Sequence, residues 1–251
     1  MRLLVVLLLL LAVPVQADEK VVAGLSQNQI SITTDFDGSE IFIYGAVKRE
    51  TPAPEGSLDV VVVVIGPSEP VIVRKKERQF GIWINDGGVQ VDSAPSFYAI
   101  STSRPFEEAI SDTENLRYRI GLDYAVRLIG NTDDVAYPEE YRLAAIRLNK
   151  SSGLYFEDAG GVEIIDDTLF QTRIRLPAQL VEGDYLAQIY LARDRTIVDV
   201  HESTIAVRKV GLERFIYTMA TQQSALYGIA SILLALAAGW LASTFFRLFF
   251  P

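Results

Sequence analysis

Cysteine is absent from the 251-residue chain, and histidine occurs once, at His201. The missing cysteine excludes disulfides, thiolate metal sites and thiol nucleophiles, so the core alone must stabilise the fold. With one histidine, a zinc or copper site would need mostly carboxylates, which suit neither metal. We therefore expect no cofactor and no metal site.

Two common serine-nucleophile signatures, Gly-x-Ser-x-Gly and Ser-x-x-Lys, are also missing from the sequence. The sequence has two adjacent acidic pairs, Asp133-Asp134 and Asp166-Asp167. A hydrolase that uses paired carboxylates therefore remains an alternative. Solvated acids in loops are far commoner than catalytic pairs. The sequence therefore favours a protein that is not an enzyme.

Acidic residues outnumber basic ones, with 32 Asp and Glu against 23 Lys and Arg and a net charge of −9. Such a chain repels nucleic acid, so we expect no nucleic-acid partner. One segment departs from this balance, because Arg74, Lys75, Lys76 and Arg78 cluster just before Trp83. The cluster can contact anionic lipid headgroups or an acidic partner, or it can be a solvated edge strand whose lysines prevent unwanted pairing.

Aromatic residues on the predicted strands could form a platform that binds a ligand, which remains an alternative. Trp83, Phe97 and Tyr98 are its candidates, although aromatic side chains on strands usually belong to the core. A deep concave pocket lined by Trp83 would favour ligand binding, whereas a flat apolar patch would favour a protein partner.

The longest uncharged apolar run covers residues 225–246. As a helix it would be about 33 Å long, enough to cross a hydrocarbon core of about 30 Å. Small residues recur every fourth position along it, at Ser231, Ala235, Gly239 and Ser243. Such a face lets another helix approach closely, which indicates a membrane-protein partner or a homodimer, although small residues are common in membrane helices.

The first 17 residues read as a signal peptide, with Arg2, an apolar region over 3–11 and a small-x-small site ending at Ala17. An uncleaved signal anchor is the alternative, and both give the same topology. Residues 18–210 would lie in the periplasm, 211–224 would approach the membrane and 247–251 would be a cytosolic tail. We expect a single-pass protein of the bacterial inner membrane.

Alternating apolar residues predict strands over much of the first half of the exported part. Asp37-Gly38 and the segment 85–88 are typical of hairpin turns, because glycine tolerates the positive φ that tight turns require. The unbroken run Val60–Val64 predicts a strand that is buried on both faces.

A helical insert is predicted over about 105–150, and its clearest helix begins at Pro138. That helix would present one apolar face, made of Tyr141, Ala144, Ala145 and Leu148. Strands return after the insert, and a Leu-x-x-Gly-x-Tyr pattern ending at Tyr185 is typical of the tyrosine corner. We predict a mainly β fold, an immunoglobulin-like β-sandwich with a helical insert and one C-terminal transmembrane helix. Two small domains are the alternative.

Several segments together resemble an uncharacterised alphaproteobacterial family of transmembrane proteins. They are residues 78–85 (RQFGIWIN), 94–99 (APSFYA), 153–155 (GLY) and 211–227, the approach to the anchor. The resemblance implies a signal peptide, a periplasmic domain and one C-terminal span, and it assigns no activity to the chain. It also suggests an association with permeases of the sulfite-exporter type.

The expected function is therefore that of an accessory or assembly protein for another inner-membrane protein. The alternative is a periplasmic module that binds a small ligand or an envelope polymer.

Overall fold

The computed structural model describes residues 19–50, 52–128 and 137–249. The predicted signal peptide and the pair Asp133-Asp134 lie outside these ranges. The described chain forms two compact units, of which the first contains residues 19–30 and 37–207 and the second contains residues 31–36 and 208–249.

The first unit is mainly β, as predicted. Its strands, including two that extend into the second unit, are β1 (Lys20–Leu25), β2 (Gln29–Ile32), β3 (Gly38–Lys48), β4 (Leu58–Ile65), β5 (Ser68–Gln79), β6 (Ile82–Pro95), β7 (Tyr98–Thr102), β8 (Tyr155–Ala159), β9 (Val162–Ile165), β10 (Leu169–Pro177), β11 (Gly183–Arg193) and β12 (Thr196–Lys209). Helices α1 (Phe106–Ala109), α2 (Asp112–Tyr118), α3 (Leu122–Ala125) and α4 (Pro138–Ser151) lie between β7 and β8. The second unit contains α5 (Leu212–Gln222) and α6 (Ser224–Phe249).

Two larger sheets organise the strands, in the orders β1-β3-β10-β9 and β2-β12-β11-β4-β7-β8. The six-stranded sheet combines strands from both halves of the chain, because β4 pairs with β7 on one side and with β11 on the other. The two sheets also contact each other, and the hydroxyl oxygens of Ser101 on β7 and Thr172 on β10 lie 3.0 Å apart. The immunoglobulin-like detail of this arrangement stays a prediction.

Strand β4 is the centre of the fold, and its five valines are all buried, as predicted. Val61 and Val63 pack in one cluster with residues of the helical layer, which helices α1–α4 together form. Because side chains alternate along a strand, Val60, Val62 and Val64 lie on the opposite face, on the side of the four-stranded sheet. Burial of both faces explains why the run is apolar at every position.

The helical layer covers one face of the six-stranded sheet. Ile110 and Ile120 belong to the same buried cluster as Tyr98, whose hydroxyl donates a 2.8 Å hydrogen bond to the carbonyl oxygen of Ile120. The predicted apolar face of α4 is partly wrong, because Ala145 and Ile146 are the buried residues while Leu148 is exposed. Tyr141 and Ala144 pack against the buried cluster as predicted, and the buried face extends to Ile146 and leaves out Leu148.

The Asp37-Gly38 hairpin prediction is wrong. Gly38 has a φ of +123°, so glycine is needed there, but β2 and β3 belong to different sheets. Strand β3 pairs instead with β1 and β10, and it buries Ile41 and Ile43 completely. The segment therefore connects two sheets, which a local turn signal cannot distinguish from a hairpin.

The tyrosine expected at the corner before β11 makes the predicted contact. Tyr185 is buried, and its hydroxyl donates a 3.0 Å hydrogen bond to the carbonyl oxygen of Val181. Its ring also lies 6.1 Å from that of Phe97, measured between centroids. Burial raises the pKa of the Tyr185 phenol, so the neutral form that donates this hydrogen bond persists well above neutral pH.

Strands β5 and β6 form a separate two-stranded sheet, which we call the arm. At its base Val73, Val89 and Val91 are buried, and the outer half is exposed. The predicted turn at 85–88 is wrong. The arm turns at Phe80-Gly81, where the two φ angles are +49° and +89°, and residues 85–88 instead contain a β-bulge.

Candidate partner-binding surfaces

The predicted basic cluster lies entirely on the arm. Strand alternation puts Arg74, Lys76 and Arg78 on one face of β5 and Lys75 on the other. Trp83 is the cross-strand partner of Arg78 and therefore shares the face with the three basic residues. The structure thus brings four of the five predicted arm residues onto one side of a ribbon.

The aromatic platform is not formed. Trp83 is 68% exposed on the arm, whereas Phe97 and Tyr98 are buried in the core of the first unit. Trp83 also lines none of the five main cavities of the described residues. The observation that would have favoured a ligand pocket around Trp83 is therefore missing.

A groove of about 490 Å³ lies on the outer side of the helical layer, between α2–α3 and α4, and we call it the insert groove. Leu116 on α2 is 61% exposed and Leu143 on α4 is 48% exposed, and both line it. Arg119 and Arg127 are among the polar lining residues.

An ion pair holds one wall of the insert groove. The Nε atom of Arg142 lies 2.9 Å from both carboxylate oxygens of Glu139, one helical turn earlier on α4. The same guanidinium donates to the carbonyl oxygen of Asp123 on α3, which ties the two helices together. The hydrogen bond from Arg142 lowers the pKa of Glu139, so this pair stays ionised at neutral pH.

Sequence reasoning missed the insert groove because it did not recognise α2. The signal was present, because Ser111-Asp112-Thr113-Glu114 has the Ser-x-x-Glu pattern of a capping box. In the structure Ser111 is the N-cap residue, and its hydroxyl oxygen accepts a 3.4 Å hydrogen bond from the backbone N–H of Glu114. Leu116 then follows in the second turn of the helix.

A second and larger concavity of about 950 Å³, which we call the polar cleft, lies beside β8, β9 and β10. Charged side chains of both signs line it. They include Glu40, Glu157, Asp158, Glu163, Arg173 and Arg175. The guanidinium of Arg173 lies 5.7 Å from the centroid of the Phe42 ring, a cation–π contact. Burial, with a smaller effect of Glu107, raises the pKa of Glu157.

The remaining chemical candidates are dispersed. The Nε2 atom of His201 on β12 lies 3.3 Å from the hydroxyl oxygen of Ser203. Asp166 and Asp167 form the turn between β9 and β10. Within the described residues, no group of three or more histidines and carboxylates is arranged to hold a metal ion.

The predicted anchor is a single helix, α6, and its segment Ser224–Phe245 is long and apolar enough to cross a membrane. The hydroxyl of Ser231 donates a 2.8 Å hydrogen bond to the carbonyl oxygen of Tyr227 within the helix. Apart from its chain neighbours and the backbone of its own helix, a Cβ atom added at Gly239 would meet no described atom within 4 Å. Helical spacing puts Ser231, Ala235, Gly239 and Ser243 close to one face of α6.

The family whose model matches the chain is described as "Putative transmembrane protein (Alph_Pro_TM)", and the match covers residues 20–248. The chain belongs to this family. The Alph_Pro_TM match runs through both units, from β1 to the end of α6. It confirms the predicted family and supports membrane association through the C-terminal helix. No curated protein matches the chain.

Proposed function

We propose that this Alph_Pro_TM protein is a non-enzymatic accessory or assembly protein for another membrane protein. It is anchored by α6 in the bacterial inner membrane, with its β-rich domain in the periplasm and its C-terminus in the cytosol. A signal peptide over residues 1–17 directs its export. The partner is an integral membrane protein, for which a permease of the sulfite-exporter type is one candidate and a second copy of the chain another.

The observation that carries this proposal is the pair of exposed leucines in the insert groove. Leu116 and Leu143 come from different helices and line the same concavity while remaining about half exposed or more. Large apolar side chains that converge in a groove with a polar rim are typical of protein-binding surfaces. Arg119 and Arg127 add donors that would fix the orientation of a partner segment.

Site-specific crosslinking in native membranes tests the proposal. A photoreactive phenylalanine replaces Leu116 or Leu143 in the full chain, and Val22 on β1, which is 56% exposed, serves as the control position. We expect the same integral membrane protein to be captured from both groove positions and not from Val22. Leu116→Glu should then weaken capture from position 143 at least several-fold, because a carboxylate would be desolvated in the contact.

Two results would contradict the proposal. One is capture that does not depend on position, which indicates collision at the membrane. The other is an unchanged yield from position 143 in the Leu116→Glu variant at equal membrane levels. In either case the insert groove is not the contact surface.

The polar cleft favours a second candidate, a module that binds a small ligand or an envelope polymer. Its volume suits a small molecule, and Arg173 and Glu163 can hydrogen-bond to sugar hydroxyls or charged groups. Thermal unfolding of the detergent-solubilised full chain with envelope glycans tests this candidate. A rise in Tm that Arg173→Ala abolishes would support it, and unchanged Tm values across the glycans would remove it.

A further inference from the structure

Three large apolar side chains are exposed at the tip of the arm, outside the core of the fold. Phe80 is fully exposed, and Ile82 and Trp83 are each about two-thirds exposed. All three lie at or next to the Phe80-Gly81 turn, so they project together from the end of a ribbon. A turn that served only to connect two strands would favour polar residues at these positions.

The arm is long enough to hold its tip away from the body of its unit. Residues up to Lys76 still line a concavity against α4, and Phe80 follows four residues later, just past the end of β5. At about 3.3 Å per residue this separates the tip from that contact by roughly 13 Å. Backbone pairing continues to Gln79 and Ile82, so the projecting part is an ordered ribbon.

The outer part of the arm carries charge opposite in sign to that of the whole chain. Residues 74–86 contain four basic residues, Arg74, Lys75, Lys76 and Arg78, against the two acids Glu77 and Asp86. The basic residues follow directly behind the apolar tip. This segment is therefore the local exception in a chain whose net charge is −9.

We propose that the tip of the arm inserts into the headgroup region of an anionic lipid surface. Phe80, Ile82 and Trp83 enter the boundary between headgroups and acyl chains, where tryptophan is enriched in membrane proteins. Lys76 and Arg78, the basic residues nearest the tip, then lie at the depth of the lipid phosphates, with which they form charge-assisted contacts, while Arg74 and Lys75 lie further from the bilayer. The lipid is the occupant that matches both features, because it offers an apolar layer bounded by negative charge. The proposal does not depend on the partner assigned above.

The tryptophan content of the chain gives a direct readout. The two tryptophans are Trp83 and Trp240, so Trp240→Phe leaves the arm as the sole source of tryptophan emission. The full-length variant is reconstituted into phosphatidylcholine vesicles that contain about 30% phosphatidylglycerol, with and without bromine on the acyl chains near the headgroup. Insertion predicts blue-shifted emission from Trp83 and quenching by the brominated lipid of about twofold or more.

Matched variants separate the apolar and charged contributions. Phe80→Ser should reduce the quenching, whereas Val22→Ser, at an exposed position on β1, should not. The double variant Lys76→Glu with Arg78→Glu should reduce the quenching, because it makes the segment behind the tip acidic. Arg175→Glu, on the exposed side of β10, should not reduce it. Salt at about 0.5 M, or vesicles of phosphatidylcholine alone, should also weaken the quenching because the electrostatic part is screened or absent.

Unquenched, red-shifted emission in the phosphatidylglycerol vesicles would overturn the proposal, because the tip would then be in water. A blue shift without bromine quenching would overturn it as well, because protein would then cover the tip. Quenching that is equal in both vesicle types and insensitive to Lys76→Glu with Arg78→Glu would remove the role assigned to the basic residues.

Discussion

Arg193, on the next-to-last strand of the first unit, is paired with Glu19, which immediately precedes the first strand. The Nε atom of Arg193 lies 2.7 Å from one carboxylate oxygen of Glu19, and a terminal nitrogen lies 2.8 Å from the other. Arg49 adds a third hydrogen bond of 2.6 Å to the same carboxylate. Glu19 is almost completely buried, so its charge is compensated by two guanidinium groups in a largely dry site.

Stability should depend on pH through Glu19. Burial raises the pKa of this carboxyl, but the hydrogen bonds from Arg193 and Arg49 outweigh burial and leave the pKa below its ordinary value. Because the pKa of Glu19 is lower in the folded state, its carboxylate stabilises the fold fully at pH values above the unfolded pKa of about 4.3. This stabilisation is lost as the pH falls below that value. At pH 6 the free energy of unfolding of the parent chain should therefore exceed that of the Glu19→Gln variant. The difference should shrink as the pH approaches 3.

Urea unfolding of the detergent-solubilised full chain, followed by near-ultraviolet circular dichroism, measures that difference. Glu55→Gln, in the exposed loop before β4, is the control and should leave the pH profile unchanged. A constant difference between the parent chain and Glu19→Gln from pH 6 to 3 would show that Glu19 does not titrate with folding.

Tyr185→Phe should destabilise the first unit without altering its architecture. The substitution keeps the ring and removes the hydroxyl that donates to the carbonyl oxygen of Val181. Because Tyr185 is buried, the acceptor loses its partner at a cost of about 1–3 kcal/mol. Tyr217→Phe, at an exposed position of α5, is the control. An unchanged urea midpoint for Tyr185→Phe would reject its role at the corner.

Gly239→Leu in the anchor should impair helix–helix contact while preserving insertion. Leucine makes the span more apolar, so insertion should survive, but its bulk would keep a partner helix away from the face of small residues. Leu233→Phe adds bulk on the side of α6 away from that face and is the control. We expect Gly239→Leu, and not Leu233→Phe, to lower crosslinking to a membrane partner or a second copy at equal membrane levels. Full retention of every crosslink would mean that α6 is only a tether.

The proposed orientation predicts the behaviour of enzyme fusions. A periplasmic alkaline phosphatase fused after Val210 should be active, because that position precedes the anchor on the exported side. The same reporter fused after Pro251 should be inactive in the cytosol. Activity of the fusion after Pro251 would reverse the assigned topology.

Features that depend on single residues or short runs were predictable. The valines of β4 identify a strand buried on both faces, and the pattern before Tyr185 indicates a corner tyrosine, because burial and local hydrogen bonding determine both. The apolar run 225–246 likewise predicts the helix found at Ser224–Phe249. These signals are local and need no knowledge of the partners of a strand.

Strand partners could not be predicted in the same way. Asp37-Gly38 and the segment 85–88 both satisfy a hairpin pattern, yet one links two sheets and the other contains a bulge. The turn of the arm has its glycine one residue after Phe80, in a segment that also alternates like a strand. The choice among such turns depends on which faces the distant strands bury, and this is not present in a local sequence window. Leu116 and Leu143 form one groove for the same reason, because two helices from different parts of the insert have to meet.

The pairing of β4 with β11 has a consequence for biogenesis. Val62 lies opposite Ile189, so the central strand of the six-stranded sheet completes its pairing only when a strand near the end of the first unit is available. If the chain is exported as proposed, the valine-rich segment emerges well before this neighbour and presents an unpaired, aggregation-prone edge. Such non-local pairing makes folding slow. We therefore expect the newly translocated chain to depend on periplasmic chaperones until residues 183–193 have crossed, and depletion of these chaperones should lower its level before that of proteins with local topologies.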